Sequence, residues 1–268
     1  MRELAADLER ARQAVFAAGD IAMRYFQKAH TSWEKGPGQI VTQADIEIDR
    51  FLHRALLAGD DAGWLSEETE DDRSRLGRSR LWVVDPIDGT RSFAKGRPEF
   101  VISVALLIES APALGLISNP ATGELFEATR GRGATCNGEP LRACVPSGLG
   151  GAAIVVSETE NRRRDFARIL PAARFTTIGS LAYKLALVAA GRFDAYLSWR
   201  RTHDWDIAAA HLLLQEAGAV LSEADGSPIG YNRPEPVHRG LVAAAPALHA
   251  ELLARSTPHL PAGVQRRG

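Results

Sequence analysis

The chain has 268 residues, 45% of them hydrophobic, with 32 Lys and Arg against 33 Asp and Glu for a formal net charge of −1. That length can bury a substantial core and sits near the size at which one compact unit divides into two lobes. A balanced charge excludes the overall basic excess of proteins that coat DNA or membrane surfaces, so any anionic ligand has to meet cations that are placed locally.

The first 28 residues place Leu4, Leu8, Ala11, Val15, Ala18 and Ala22 at helical spacing, which predicts a helix with one buried face. Asp7, Glu9, Arg10 and Arg12 interrupt it, so it matches neither a signal peptide nor a membrane span, and a cytoplasmic location is expected. Ser32 to Gln39 is polar and reads as a loop. A second helix starts near Thr42, whose hydroxyl is a suitable cap, with Asp45 in its first turn and Ile48, Phe51, Leu52, Ala55 and Leu56 on its apolar side. Trp64 to Ser66 and Leu81 to Val84 are short strands, each running into acidic residues, and Thr69 to Arg80 between them reads as a surface connection or mobile cover.

Val101 to Ile108, Leu114 to Ile117 and Leu125 to Ala128 form a strand-rich run with turns at Asn119-Pro120 and Asn137-Gly138, which favours antiparallel sheet. Cys136 and Cys144 do not make a disulfide framework in a chain this long and suit a reducing compartment. Around 145–152 a Pro- and Gly-containing stretch suggests a boundary between a lobe at 1–148 and a lobe at 149–256, with a loose tail at 257–268. In the second lobe Ala152 to Val156 and Phe193 to Leu197 read as strands, and Arg162 to Leu170 and Leu181 to Ala190 as helices. Asp206 to Ala217 is a helix ended by Gly218, and Ala219 to Ser222 begins another strand. Such a mix of helices and non-repeating strands indicates a layered α/β architecture.

The chemistry concentrates where WVVDPIDGT, residues 82–90, delivers Asp85 and Asp88, the Ile87 carbonyl and the Thr90 hydroxyl to one place. Oxygen donors of this kind suit hard divalent cations, Mg2+ where phosphate is the substrate. Alone, the same stretch also reads as a hydrogen-bonded structural turn, Glu67 and Glu68 as solvated acids, and Asp206 as a helix cap. Gly89, Thr90 and Arg91 could offer donors to a phosphate, especially if a short helix starts there. Arg91 reads equally as a surface arginine, and Lys95, Arg97 and Lys184 as part of an anionic-substrate rim or as solvated cations.

WLSEE at 64–68, WVVDPIDGT at 82–90, and WDIAA at 205–209 followed by EAGA occur in an order that resembles the inositol monophosphatase family. The resemblance spans roughly residues 5–250 and includes the related bisphosphate nucleotidases and histidinol-phosphate phosphatases. It implies an α/β five-layer αβαβα sandwich, of the type shared with fructose-1,6-bisphosphatase, and a Mg2+-dependent phosphomonoesterase. Two or three ions are implied, with Mn2+ as a substitute and Li+ and Ca2+ as inhibitors. By position, Glu67, Asp85 and the Ile87 carbonyl fall on one metal site and Asp85, Asp88 and Asp206 on a second, and Glu67 also bears on a third ion. Asp45 and Thr90 match the pair that orients and activates the attacking water, and Lys35 matches the lysine of the metal loop. Members are often homodimers.

Inositol phosphatases carry an acidic residue seven positions before the Asp of the WD pair, and here that position is Trp199, followed by Arg200 and Arg201. An aromatic-basic stretch can stack on a base and pair with a second phosphate, which makes adenosine 3',5'-bisphosphate the leading substrate, with Trp199 and Arg200 as contacts. Inositol 1-phosphate and histidinol phosphate are the alternatives, and packing is the other role open to Trp199. A small phosphorylated metabolite is expected as partner, with neither a nucleic-acid polymer nor a membrane. The non-enzymatic alternative is a regulatory or structural protein held together by metal.

Overall fold

The computed structural model describes residues 2–28, 32–36 and 39–264. The chain opens with α1 (Arg2–Tyr25), a hairpin of β1 (Ser32–Gly36) and β2 (Gln39–Thr42), and α2 (Gln43–Leu56). The hairpin replaces the expected loop at Ser32 to Gln39. Its ladder rests on main-chain pairing from Ser32↔Thr42 to Gly36↔Gln39, for which a polar sequence gives no periodic signal.

A seven-stranded sheet follows, built from β3 (Gly63–Ser66), β4 (Arg80–Asp88), β5 (Val101–Ile108), β6 (Ala111–Asn119), β7 (Glu124–Thr129), β8 (Ala134–Cys136) and β9 (Glu139–Pro140) in that spatial order. Only β3 and β4 pair in parallel; the rest of the sheet is antiparallel, as the strand-rich run predicts. α3 (Thr90–Ala94) leaves the end of β4, and the two cysteines are free.

The remaining elements are β10 (Ala153–Val156), α4 (Glu158–Arg164), α5 (Phe166–Ile169), β11 (Arg174–Thr177), α6 (Leu181–Ala189), β12 (Ala195–His203), α7 (Asp204–Glu216), β13 (Val220–Glu223), β14 (Val237–Ala244) and α8 (Pro246–Ser256). Their strands form a second sheet ordered β11-β10-β12-β14-β13. The single helix expected over Arg162 to Leu170 is two, because Asp165 takes φ 47°, which ends α4 and starts α5. The tail is not loose as far as Val264, since Leu260 and Val264 pack into the cluster under α8; residues 265–268 lie outside the described residues.

Three apolar clusters define five layers. α1 and α2 cover one face of the first sheet through Val15, Ile48 and Leu52 against Val84, Ile102 and Leu116. α6 and α7 lie between the two sheets, with Leu185, Leu212 and Leu213 meeting Val83, Ala105 and Ile117 on one side and Tyr196 and Leu241 on the other. α5 and α8 cover the far face of the second sheet through Phe166, Leu248 and Leu252.

The alanines of α7 allow a close approach. A Cβ at Gly115 on β6 would sit 2.6 Å from the Ala209 carbonyl oxygen, so the helix backbone lies directly on the strand. That contact fixes the height at which the start of α7 reaches the carboxyl end of β4.

Candidate active site

Along β4, Asp85 lies opposite Ser103 and Asp88 opposite Val101, so three steps on one strand match two on its neighbour. Residues three apart on a regular strand face opposite sides; one inserted residue returns Asp88 to the side of Asp85. The expected turn after Val84 is therefore a bulged strand that continues to Asp88, with Pro86 in the bulge where it breaks no regular ladder. Gly89 then turns the chain into α3 with φ 98°.

Helix starts supply the remaining carboxylates. Asp45 and Asp206 are each the third residue of their helices, α2 and α7, and each closes a capping box with one oxygen. Asp45 Oδ2 accepts the Thr42 N–H at 2.9 Å, and Asp206 Oδ2 accepts the His203 N–H at 2.6 Å. Asp88 Oδ2 accepts from the Ser180 hydroxyl at 2.6 Å and from the Ala182 N–H at the start of α6. In all three, one oxygen is tied to a helix N-terminus, whose positive end favours the carboxylate.

Asp85 differs. It is 1% exposed, and neither of its carboxylate oxygens has a hydrogen-bond partner. A buried carboxylate left this way is strongly unfavourable unless a cation meets it or it takes up a proton. Oxygens of Asp85, Asp88 and Asp206 all lie within 4.8 Å of one another, close enough to share one ion. The donors are all oxygen, as hard divalent cations require, so the residues fit a metal.

The electrostatics describe the same site. Burial, then Glu67, Asp88 and Asp206, push the Asp85 carboxyl well above its usual range. Asp88 is raised to about 6 by burial and Asp206, against the opposing Ser180 hydrogen bond. Asp45 is raised to about 6 by burial, with Thr42 opposing. Glu67 is raised to about 8 by its enclosure in the cleft and by Asp206, Glu68, Asp88 and Asp45. Its side chain is nonetheless open to the cavity, so water moderates the enclosure, and the repulsion among neighbouring acids is the firmer cause.

The carboxylates open into a cavity of about 900 Å³ lined by Glu67, Glu68, Ile87, Asp88, Gly89, Thr90, Arg91, Arg200 and Asp206, among others. The Thr90 hydroxyl lies 3.3 Å from Asp45 Oδ1 and 3.0 Å from the Ile87 carbonyl. The structure thus gathers Asp45, Glu67, Asp85, Ile87, Asp88, Gly89, Thr90, Arg91, Arg200 and Asp206. Lys35 is on the hairpin strand β1, but its side chain lies outside the described residues.

Trp199 is a correction. It is 4% exposed, stands edge-on to Phe166 at 5.0 Å, and belongs to the cluster beneath α8 rather than to the cavity. Side chains alternate along β12, so Tyr196 and Ser198 face the cavity while Leu197 and Trp199 face the opposite core. Of the two readings of Lys184, a place at the substrate rim or in solvent, the structure gives neither an open rim nor solvent: the residue is 3% exposed in the cavity wall.

Several supporting residues escape the motifs. Asp49, one turn after Asp45, accepts the Ser66 hydroxyl at 2.5 Å and the Thr69 hydroxyl at 2.7 Å, which pins the segment carrying Glu67 to α2. Buried Arg75 joins Asp71 to Asn232 and the Arg233 carbonyl, so the connection at 69–80 is anchored and is not a mobile cover. Asp204 accepts from the Asn232 N–H and pairs with buried His238 at 2.8 Å, fixing the start of α7 from below. A polar residue before an apolar helix was the only sequence signal for Ser180, and long-range pairs such as Asp49–Thr69 leave none.

Fold and site together define a layered α/β protein whose carboxylates, drawn from a bulged strand and the starts of helices, form a cluster suited to holding a metal ion. The model of the inositol monophosphatase family matches residues 3–261, and the chain belongs to that family. It is accordingly a metal-dependent phosphoric monoester hydrolase. An inositol-1-monophosphatase of Rhizobium meliloti is 38% identical over 80% of this chain and 84% of its own length. A histidinol-phosphatase of Chlorobaculum parvum is 33% identical over 82% of this chain and 86% of its own. Among solved structures, the IMPase of Thermotoga maritima superposes with a TM-score of 0.84 at 27% identity, covering 94% of this chain and 97% of that one.

Proposed function

We propose that the chain hydrolyses a small phosphate monoester with Mg2+ as its ion, held by Glu67, Asp85, the Ile87 carbonyl, Asp88 and Asp206. The unpartnered, buried Asp85 carboxylate is the observation that carries this reading. When bound, the ions supply charge neutralisation at the phosphoryl oxygens, a lowered pKa for the attacking water and stabilisation of the leaving oxygen. Asp45 and Thr90 hold that water by hydrogen bonds, and Asp45 Oδ1 is placed to accept its proton. Gly89, Thr90 and Arg91, at the start of α3, present main-chain N–H groups and a guanidinium to the phosphate.

The favoured substrate carries a second anionic group. Lys95, Arg97, Arg163, Arg200 and Arg201 line the cavity together with the acids Glu99 and Glu160, while Arg162, also in the lining, pairs with Glu158. His203 and Trp205, stacked at 4.4 Å and both lining the cavity, offer an aromatic surface in place of Trp199. Adenosine 3',5'-bisphosphate meets both features. Inositol 1-phosphate is the second reading, favoured by the 38% identity to an inositol-1-monophosphatase. The cationic amine of histidinol phosphate suits the basic rim least.

Comparing kcat/KM with Mg2+ for these three esters tests the assignment. The nucleotide is expected to lead by at least about 10-fold and to lose its advantage as added salt screens the rim. A lead for inositol 1-phosphate, unchanged by salt, would transfer the assignment to the second reading.

A further inference from the structure

Residues 67–79, which begin with Glu67, belong to no helix or strand. They leave the end of β3, an edge strand of four residues, and rejoin the sheet at Arg80 on β4. Two buried side chains shape the segment. Asp49 of α2 accepts from Ser66 and Thr69. Arg75 lies across the start of β3, where a Cβ at Gly63 would stand 3.1 Å from the Arg75 Cα. A buried guanidinium is tolerated only where its donors are met. Arg75 Nε and Nη2 donate to the two oxygens of Asp71 at 3.0 and 2.7 Å. Nη1 donates to the Asn232 side-chain oxygen at 2.6 Å, and Nη2 also to the Arg233 carbonyl at 3.0 Å.

The bonds to Asn232 and Arg233 cross from the first sheet to the loop between β13 and β14 of the second. That loop also holds the first turn of α7. The Asn232 N–H donates to Asp204 Oδ2 at 2.9 Å, the Asp204 N–H donates to the Pro236 carbonyl at 3.1 Å, and His238 meets Asp204 Oδ1 at 2.8 Å. Asp204 and Asp206 share the turn. A continuous set of bonds therefore runs from the segment of Glu67 through Arg75, Asn232 and Asp204 to Asp206. Of the neighbouring acids, Asp206 acts most strongly on the Glu67 carboxyl. Neither Arg75 nor Asn232 lines the cavity, so their effect on the site passes through the acids they hold.

We propose that Arg75 and Asn232 are positioning residues: their bond between the two sheets sets the separation of Glu67 from Asp206 and thereby the affinity for the divalent ion. This inference rests on the ion-binding reading above. With the bond cut, the acids converge in only a fraction of the molecules, and the apparent affinity falls by that fraction. Saturating Mg2+ draws them back to the same arrangement, so the loss falls on ion binding rather than on turnover. Partners that orient metal ligands from behind contribute about 10- to 100-fold in affinity.

Asn232→Gly is the deciding variant. Asn232 has φ 55°, which glycine adopts without strain, so the substitution deletes the bond to Arg75 and keeps the N–H to Asp204. Calorimetric titration of the metal-free protein with Mg2+ should show a Kd raised about 10-fold. The Mg2+ concentration for half-maximal phosphate release should rise by the same factor, while kcat at saturating Mg2+ stays within about 2-fold. Arg75→Lys, which keeps the charge but loses the planar fork, should give the same split. In the unaltered protein Mg2+ should slow amide exchange at residues 67–76 and 231–238 together, and this decides the matter should either variant not fold. A lower Tm with an unchanged Mg2+ Kd would make the bond purely structural and overturn the inference alone. A fall in kcat without a change in Kd, or protection that stops at residue 76, would also overturn it. No Mg2+ binding by the unaltered protein would instead sink the ion-binding reading and the inference with it.

Discussion

The Asp85→Asn protein is expected to lose at least about 10³-fold in kcat/KM toward phosphate esters, while its metal-free form melts at a higher temperature than the metal-free parent. The two effects have one origin. Asp85 is buried without a partner for either oxygen, so its charge, on the proposed reading, is held for an ion and burdens the fold. The sign follows from the direction of the shifts. In the folded, metal-free chain Asp85 is raised well above 3.8, Asp88 from 3.8 to about 6 and Glu67 from 4.5 to about 8. Below the unfolded values these groups are protonated in both states, and their contribution to stability is fully present. As pH rises the unfolded chain releases the protons first, so stability is lost progressively through the folded values, the Glu67 contribution up to about pH 8.

Asparagine does not ionise and escapes this loss. Thermal melts in chelator should therefore show the variant above the parent at pH 8 and close to it at pH 4, while added Mg2+ raises the parent's melting temperature more at pH 8 than at pH 5. A variant that melts lower than the parent at pH 8 without metal would mean that Asp85 is structurally engaged.

Gly89→Ala is the second large effect. Its φ of 98° lies where side chains are strained, and an added Cβ would stand 2.7 Å from the Glu99 carbonyl oxygen and 3.1 Å from the Ser180 Cβ. Such a conformation costs about 1–3 kcal/mol before any clash. The contact also forces Asp88, Thr90 and Ser180 apart, and a misplacement of about 1 Å in a reacting constellation lowers turnover about 10²-fold. Gly77→Ala is the comparison: its φ is 84°, but nothing lies within 4 Å of the added Cβ. Gly77→Ala should lower the melting temperature alone, whereas Gly89→Ala lowers both melting temperature and kcat. Equal kcat in the two variants would show that the close approach at Gly89 has no part in the site.

The acidic residues proposed as ligands stand out in the sequence because their residue types are set by chemistry and by local geometry. A bulge tolerates Pro86 between Asp85 and Asp88, and a helix start favours a residue such as Asp45 or Asp206 in its first turn, so the signal is short and contiguous. What surrounds them is assembled from distant parts of the chain. Ser180 reaches Asp88 across 92 positions, and Arg75 reaches Asn232 across 157, with no pattern at either end to announce the pair. Trp199 and Arg200 are neighbours in sequence, yet strand alternation sends the first into the core and leaves the second at the cavity. Lys184 looks like any helix-surface lysine until a second sheet covers it. β14 and α8, with no chemical motif, stand outside the elements predicted from sequence, although β14 pairs with β12 and β13 and holds the second sheet together.

The most direct measurement is the release of inorganic phosphate from the best ester of the substrate comparison, first after exhaustive chelation and then on titration with Mg2+. The account predicts no release above the Asp85→Asn background in chelator and saturable recovery with Mg2+. Undiminished release in chelator would contradict it, because the carboxylate centre would then have no part in the chemistry.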